Sequence, residues 1–170
     1  MDNLGKIRKV EENALIYFVD DDLIYQKVVS HDLMKQGYKN VKSFTTAKEI
    51  IEATQKKHPD ITLLDYHLGG NSTGLDVLKK IQKISPDTNN IFLTASDDIK
   101  VAIETMKNGA YDYVIKGDTA LLRINHILGN ICSHRKATKK GKVVLWYKIL
   151  IVFLIALIAT LFTIKNNMPV

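Results

Sequence analysis

The sequence predicts an α/β fold, with five β/α units building a parallel sheet that carries helices on both faces, followed by one long apolar helix. Three observations predict it. Short apolar runs alternate five times with segments of helical periodicity between Ala14 and Cys132, and such alternation gives a parallel sheet. Two of those runs end in carboxylates, Val19-Asp20-Asp21 and Leu64-Asp65. Ser133 onwards carries no acidic residue and turns strongly apolar after Lys142.

After a polar segment, residues 1–13, Ala14 to Val19 reads as the first strand. Leu23 to Gln36 reads as a helix, with Asp22 suited to its N-cap and Gly37 to its C-terminal cap. Val41 to Phe44 is a short second strand. Thr46 and Glu49 form a capping-box pattern for a helix that runs to Lys57 and stops at His58-Pro59. Ile61 to Leu64 is the third strand, a short apolar run of the kind buried in parallel sheets. Tyr66 to Gly74 reads as loop. A helix over Gly74 to Ile84 carries Leu75, Leu78 and Ile81 at helical spacing, and Ser85-Pro86 ends it. Ile91 to Thr94 is the fourth strand. Ser96 or Asp97 caps a helix with Ile99, Ala102, Ile103 and Met106 on one face, closed by Asn108-Gly109. Tyr111 to Ile115 is the fifth strand. Leu121, Ile124, Ile127, Leu128 and Ile131 make the apolar stripe of a fifth helix.

The rest of the chain divides into a polar, basic linker over 133–142, an apolar helix over 143–164 and a short tail over 165–170. The 22 residues from Val143 to Ile164 are interrupted only by Lys148. At ~1.5 Å per residue they reach across a hydrocarbon core of about 30 Å. Lys148 snorkels toward the headgroups, and Trp146 and Tyr147 sit where an interfacial aromatic belt lies. This reads as a single membrane span. Five cations precede it and Lys165 alone follows, so the positive-inside rule places the preceding domain on the cytoplasmic side of the cell's inner membrane. Ala156, Ala159, Thr160 and Thr163 form a small-residue stripe along which two spans could pack as a homodimer.

Charge supports a membrane over nucleic acid. Residues 1–132 hold 17 Lys and Arg against 18 Asp and Glu, while residues 133–170 hold 7 basic residues and no acidic one. The overall +6 therefore belongs to the tail, whereas a nucleic-acid-binding domain carries its basic face on the folded part. One cysteine, Cys132, excludes an internal disulfide, and the start of the chain has no apolar core of a signal peptide. His31, His58, His126 and His134 lack metal-ligand spacing, and Asn71-Ser72-Thr73 reads as a polar loop.

The carboxylates carry the chemistry. If the first and third strands are neighbours, Asp20, Asp21 and Asp65 converge in one pocket at the carboxyl ends of the strands, where open α/β sheets bind ligands. Three like charges that close need compensation. A hard divalent cation supplies it, and all-oxygen ligation suits Mg²⁺. Thr94 closes the fourth strand with a hydroxyl, and Lys116 follows the fifth with an ammonium. A nucleophilic carboxylate, a metal, a hydroxyl and an ammonium are equipment for phosphoryl transfer.

These residues, in this order, resemble a response-regulator receiver domain, the chemotaxis-regulator-like fold. The matching pieces are Phe18-Val-Asp20-Asp21, Leu63-Leu-Asp65, Leu93-Thr94-Ala95 and Gly109-Ala-Tyr-Asp-Tyr113-Val-Ile-Lys116. The resemblance covers Ala14 to Ile131. It implies a flavodoxin-like sheet of order 2-1-3-4-5. It further implies Asp65 as phosphoacceptor from a histidine kinase or histidine phosphotransfer protein. Asp21 becomes a Mg²⁺ ligand helped by Asp20, with the backbone carbonyl of His67 as a third. Thr94 and Lys116 contact the phosphoryl oxygens, and Tyr113 is the aromatic switch that follows Thr94. His67 and Ser96 hold positions that tune loss of the phosphoryl group. The chain departs from the family pattern at Gly117, where a proline usually follows the lysine, and at Gly69-Gly70, in a loop that usually holds proline. A peptide bond without proline prefers trans by about 2.5–4 kcal/mol.

The sequence reading is thus a membrane-tethered, single-domain receiver acting through an unknown downstream protein, and not an enzyme beyond assisting its own phosphorylation and dephosphorylation. Two alternatives stand beside it. A degenerate receiver would bind partners without phosphorylation, a reading motivated by Gly117 and the altered loop. An aspartate-nucleophile phosphatase is suggested by Asp20-x-Asp22 and Asp97-Asp98, but it leaves Asp65 without a role.

Overall fold

The computed structural model describes residues 13–69, 72–95 and 99–166, with side chains of 136–145 and 155–166 outside that description. Its strands are β1 (Leu15–Val19), β2 (Asn40–Phe44), β3 (Ile61–Asp65), β4 (Asn89–Thr94) and β5 (Asp112–Ile115). Its helices are α1 (Leu23–Lys35), α2 (Ala47–Lys56), α3 (Gly74–Ile84), α4 (Ile99–Lys107) and α5 (Ala120–Asn166). The chain divides into two units, Met1–Cys132 and Ser133–Val170.

In the first unit all strand pairs are parallel and the order is β2-β1-β3-β4-β5, as the resemblance implies. The central strands are buried on both faces, and their side chains alternate between two cores. Ile16, Phe18, Ile61, Leu63, Ile91, Leu93 and Val114 pack with Val29 and Leu33 of α1 and with Ile124 to Ile131 of α5. Leu15, Tyr17, Val19, Leu64 and Phe92 pack with Ile50 of α2 and with Leu75, Val77, Leu78 and Ile81 of α3.

The helix starts follow the caps. Asp22 accepts hydrogen bonds from the Ile24 and Tyr25 amides, and Thr46–Glu49 makes a reciprocal capping box. Thr73–Asp76 makes a second box, which the sequence reading passed over. The expected cap of α4 at Ser96 or Asp97 lies outside the described residues, as do Gly70, Asn71 and most of the polar N-terminal segment.

Three local readings change. β4 starts two residues earlier than its apolar run, because Asn90 is buried and its side-chain oxygen accepts from the Thr62 hydroxyl at 2.6 Å. That satisfied pair lets a residue of poor strand propensity enter the sheet. The apolar stripe of α4 faces outward: Ile99, Ile103 and Met106 are exposed, while Thr105 is buried and donates its hydroxyl to the Ala102 carbonyl at 2.9 Å. The expected linker over 133–142 is helical, because α5 continues through it without a break. Its Lys, Arg and Ala residues are good helix formers and it holds no proline, although Gly141 weakens it.

Gly74 fixes how α3 leaves the β3 loop. A Cβ there would lie on the Asp65 carbonyl oxygen and against the Phe92 ring. Backbone and a packed aromatic cannot both yield cheaply. Gly74→Ala is expected to destabilise the chain by about 1–3 kcal/mol, read as a lowered urea midpoint; an unchanged midpoint would refute the contact.

Candidate functional site

The sheet register builds the site. Val19 of β1 lies opposite Leu64 of β3, so Asp20 and Asp65 follow at the same level on neighbouring strands. The chain leaves β1 for β2 on one side and crosses to β3 on the other, so this pair lies at the switch in strand order, where a crevice opens. Asp65 in turn lies opposite Leu93, and Thr94 lies opposite Ile115.

Side-chain parity then sorts the candidates. Asp20, Asp65 and Lys116 continue the alternation of Phe18, Leu63 and Val114, which face α1 and α5. Thr94 and Tyr113 share the parity of Phe92, and Tyr113 packs partly buried on the core beneath α2 and α3.

Asp20, Asp21 and Asp65 offer carboxylate oxygens within 4.8 Å of one another. Asp20 and Asp65 are buried and Asp21 is exposed. The Lys116 ammonium lies 2.7 Å from Asp20 Oδ2 and 3.1 Å from Asp65 Oδ1. Lys116 is oriented from its backbone, whose N–H donates to the Thr94 carbonyl at 2.7 Å. The described residues contain no cis peptide bond, so Lys116–Gly117 is trans. Asp20 Oδ1 accepts the Asp22 amide at 3.0 Å, which binds the carboxylate to the start of α1.

Burial pushes the Asp65 carboxyl up, against the Lys116 ammonium that favours its charged form. Asp20 is also pushed up, again chiefly by burial. Burial alone would lower Lys116, but its bonds and its attraction to Asp20 and Asp65 hold it above the usual lysine range. Three carboxylates facing one ammonium leave two formal negative charges, which a dication matches. The donor set is all oxygen, as a hard ion requires. Asp20, Asp21 and Asp65 therefore fit Mg²⁺.

The loop after Asp65 closes one side of the cluster. His67 is exposed and bridges to Thr73 in antiparallel fashion, while its ring meets Tyr66 edge-on at 4.9 Å. Gly69 adopts φ 56°, and a Cβ there would come within 3.2 Å of Asp21 Oδ2. Glycine thus supplies both the left-handed turn and the close approach. Ser96 lies outside the described residues.

Two neighbours escaped the sequence reading. Gln26 is buried, and its amide donates to the carbonyls of Asp20 and Phe44, tying α1 to the ends of β1 and β2. The Tyr25 ring lies 4.7 Å from the Lys116 ammonium. Burial and the nearby carboxylates push the Tyr25 phenol up to about 12. Neither residue belongs to a local motif; each reaches the site through the packing of α1 on the sheet.

The receiver-domain model matches residues 16–124, well over half of the chain. The chain belongs to the response regulator receiver domain family. Among related proteins, regulatory protein LuxO of Vibrio cholerae is 36% identical over 97 residues, 55% of this chain and 20% of LuxO. The DNA-binding transcriptional regulator NtrC of Escherichia coli is 31% identical over 105 residues, 62% of this chain and 22% of NtrC. The chain thus spans about a fifth of the length of these relatives. A Burkholderia pseudomallei response regulator, solved with a phosphorylated aspartic acid, calcium and citrate, superposes with TM-score 0.63 at 22% identity. That match covers 76% of this chain and 75% of the other, and shows a shared fold.

The pH dependence of the receiver follows from the raised carboxyls. Without metal, Asp20 and Asp65 hold protons more tightly folded than unfolded. Their contribution to stability is therefore present below the ordinary carboxylate range and is lost as pH rises through their raised values. Mg²⁺ needs the ionised carboxylates, so its stabilisation runs the opposite way. Thermal unfolding across pH 4–8 is expected to show an Mg²⁺-induced Tm increase that grows with pH. At a hundredfold excess over Kd the gain approaches about 2.7 kcal/mol. A gain equal at all pH values would contradict metal binding by these carboxylates.

Proposed function

We propose that the receiver takes a phosphoryl group on Asp65 from a histidine kinase or histidine phosphotransfer protein. The observation that carries this reading is the Lys116 ammonium held on both Asp20 and Asp65, with Asp21 in the same cluster, at the switch in strand order. An Asp65 carboxylate oxygen forms a bond to phosphorus, the phosphorus–nitrogen bond of the donor phosphohistidine breaks, and the departing imidazole regains a proton. Charge neutralisation and positioning account for most catalysis of such transfers. Lys116 and the Thr94 hydroxyl meet the phosphoryl oxygens. Mg²⁺ on Asp20, Asp21, Asp65 and the His67 carbonyl, when bound, offsets the remaining negative charge. Tyr113, partly buried beside Phe92, carries the change toward α4 and β5. The protein is modified by its own chemistry and does not turn over a substrate, and its output is a contact with a downstream protein.

Mg²⁺ and acetyl phosphate are expected to phosphorylate the full chain. Asp65→Ala should abolish the label, while Lys116→Met should slow labelling by about tenfold or more. A label that persists in Asp65→Ala would overturn the assignment. Beryllofluoride that fails to bind in the presence of Mg²⁺ would favour the phosphorylation-independent interaction module.

The C-terminal unit is proposed to tether the receiver to the cytoplasmic face of a membrane as a single span over 143–164. The supporting observation is that Trp146, Tyr147 and Ile149 to Leu154 are all exposed along a helix. An exposed apolar run interrupted only by Lys148 fits a lipid environment better than water. Among the described residues no helix is long and apolar enough to cross a membrane; Val143 to Leu145 and Ile155 to Ile164 lie outside the described side chains. So does the small-residue stripe, along which two tethers would pair into a homodimer. Trp146 is the only tryptophan. Its emission should shift to the blue on anionic phospholipid vesicles and be quenched by brominated lipid; emission unchanged by either would refute the tether.

A further inference from the structure

We infer that Tyr25 is a positioning residue for Lys116, its ring bracing the ammonium over Asp20 and Asp65. The phosphotransfer part of this inference rests on the proposed role of Asp65; the brace itself does not. Lys116 lies just beyond β5 and is followed by Gly117, where a side chain would meet open space. The backbone anchor at the Thr94 carbonyl fixes only the root of a long, flexible side chain. The far end is set by what surrounds it. Two carboxylates hold the ammonium from one side, and the Tyr25 ring lies 4.7 Å from it. An ammonium at that distance is attracted by the negative ring face, the more so where water is displaced.

Tyr25 is itself held in place. Its amide donates to the Asp22 cap at 3.1 Å, which fixes its backbone in the first turn of α1. Its ring packs edge-on against Phe18 at 6.4 Å and 74°. Phe18 lies in the core between α1 and α5, so the brace rests on the sheet. The Tyr25 hydroxyl is buried without a hydrogen-bond partner among the described residues. The ring is therefore held by its packing and not by its polar tip, and it is the aromatic face that the ammonium meets. By shielding this side from water, the ring also strengthens the attraction between Lys116 and the carboxylates. Lys116 is thereby kept where a phosphoryl oxygen on Asp65 would arrive, instead of turning toward solvent.

The test uses the full chain, with Tyr25→Leu and Tyr25→Phe as variants. In the unphosphorylated protein the ε-methylene resonances of Lys116 should be shifted upfield by the ring current. Tyr25→Leu should abolish that shift and slow Mg²⁺-dependent labelling by acetyl phosphate about tenfold. The conservative Tyr25→Phe variant, which keeps the ring, should retain the shift and rescue the rate. A Leu variant that labels at the original rate, or a Phe variant that slows as far as Leu, would overturn the brace. If Tyr25→Leu fails to fold, the original chain and Tyr25→Phe still decide, since an unshifted Lys116 resonance in either refutes it. A chain that takes no label even before substitution would count against the role of Asp65, and the resonances alone would then judge Tyr25.

Discussion

The site depends on one electrostatic constraint: three carboxylates crowd a space of 4.8 Å, two of them buried. Desolvation disfavours their charges and mutual repulsion disfavours them further. Lys116 offsets part of this cost by reaching both buried members. Removing one partner of a buried ion pair leaves an uncompensated charge, so the ammonium and its carboxylates stand or fall together. The arrangement remains short of positive charge. That imbalance makes the cluster receptive to a dication.

The surrounding fold serves this constraint. Parallel pairing brings the ends of β1, β3 and β4 to one edge of the sheet, and the crossover on either side of β1 opens the crevice. A Cβ at Gly74 would meet the Asp65 carbonyl, and one at Gly69 would press on the Asp21 carboxylate. On the other wall, the first turn of α1 contributes Gln26 to the carbonyls behind Asp20 and the Tyr25 ring to Lys116. Side-chain parity sorts these residues onto the two faces of the sheet. The charged residues point toward α1 and α5, while Thr94 and Tyr113 share the opposite parity with Phe92.

α4 differs from an ordinary core helix. It buries Thr105 and turns Ile99, Ile103 and Met106 outward. Tyr66, next to Asp65, donates its hydroxyl to Glu104 of α4 at 3.3 Å and packs near Phe92. The loop that carries the carboxylate and the helix with the exposed apolar face are therefore directly joined.

What the sequence alone determined were the features encoded in short range. Apolar runs of strand length, the caps at Asp22 and Thr46, and the breaks at Pro59 and Pro86 set the order and type of the elements. The carboxylates were legible because each ends an apolar run, and the family resemblance supplied the order of the strands. Long-range packing decided the rest. Asn90 enters β4 because Thr62, on the neighbouring strand, satisfies its side-chain oxygen. The α4 stripe faces outward although its period matches a buried helix, because periodicity specifies a face and only tertiary packing chooses which way it points. Tyr25 and Gln26 act on residues 91 and 18 positions away. Their role could emerge only once the sheet had brought those partners together, since nothing in the local chemistry of α1 distinguishes a site residue from one that merely fills the core.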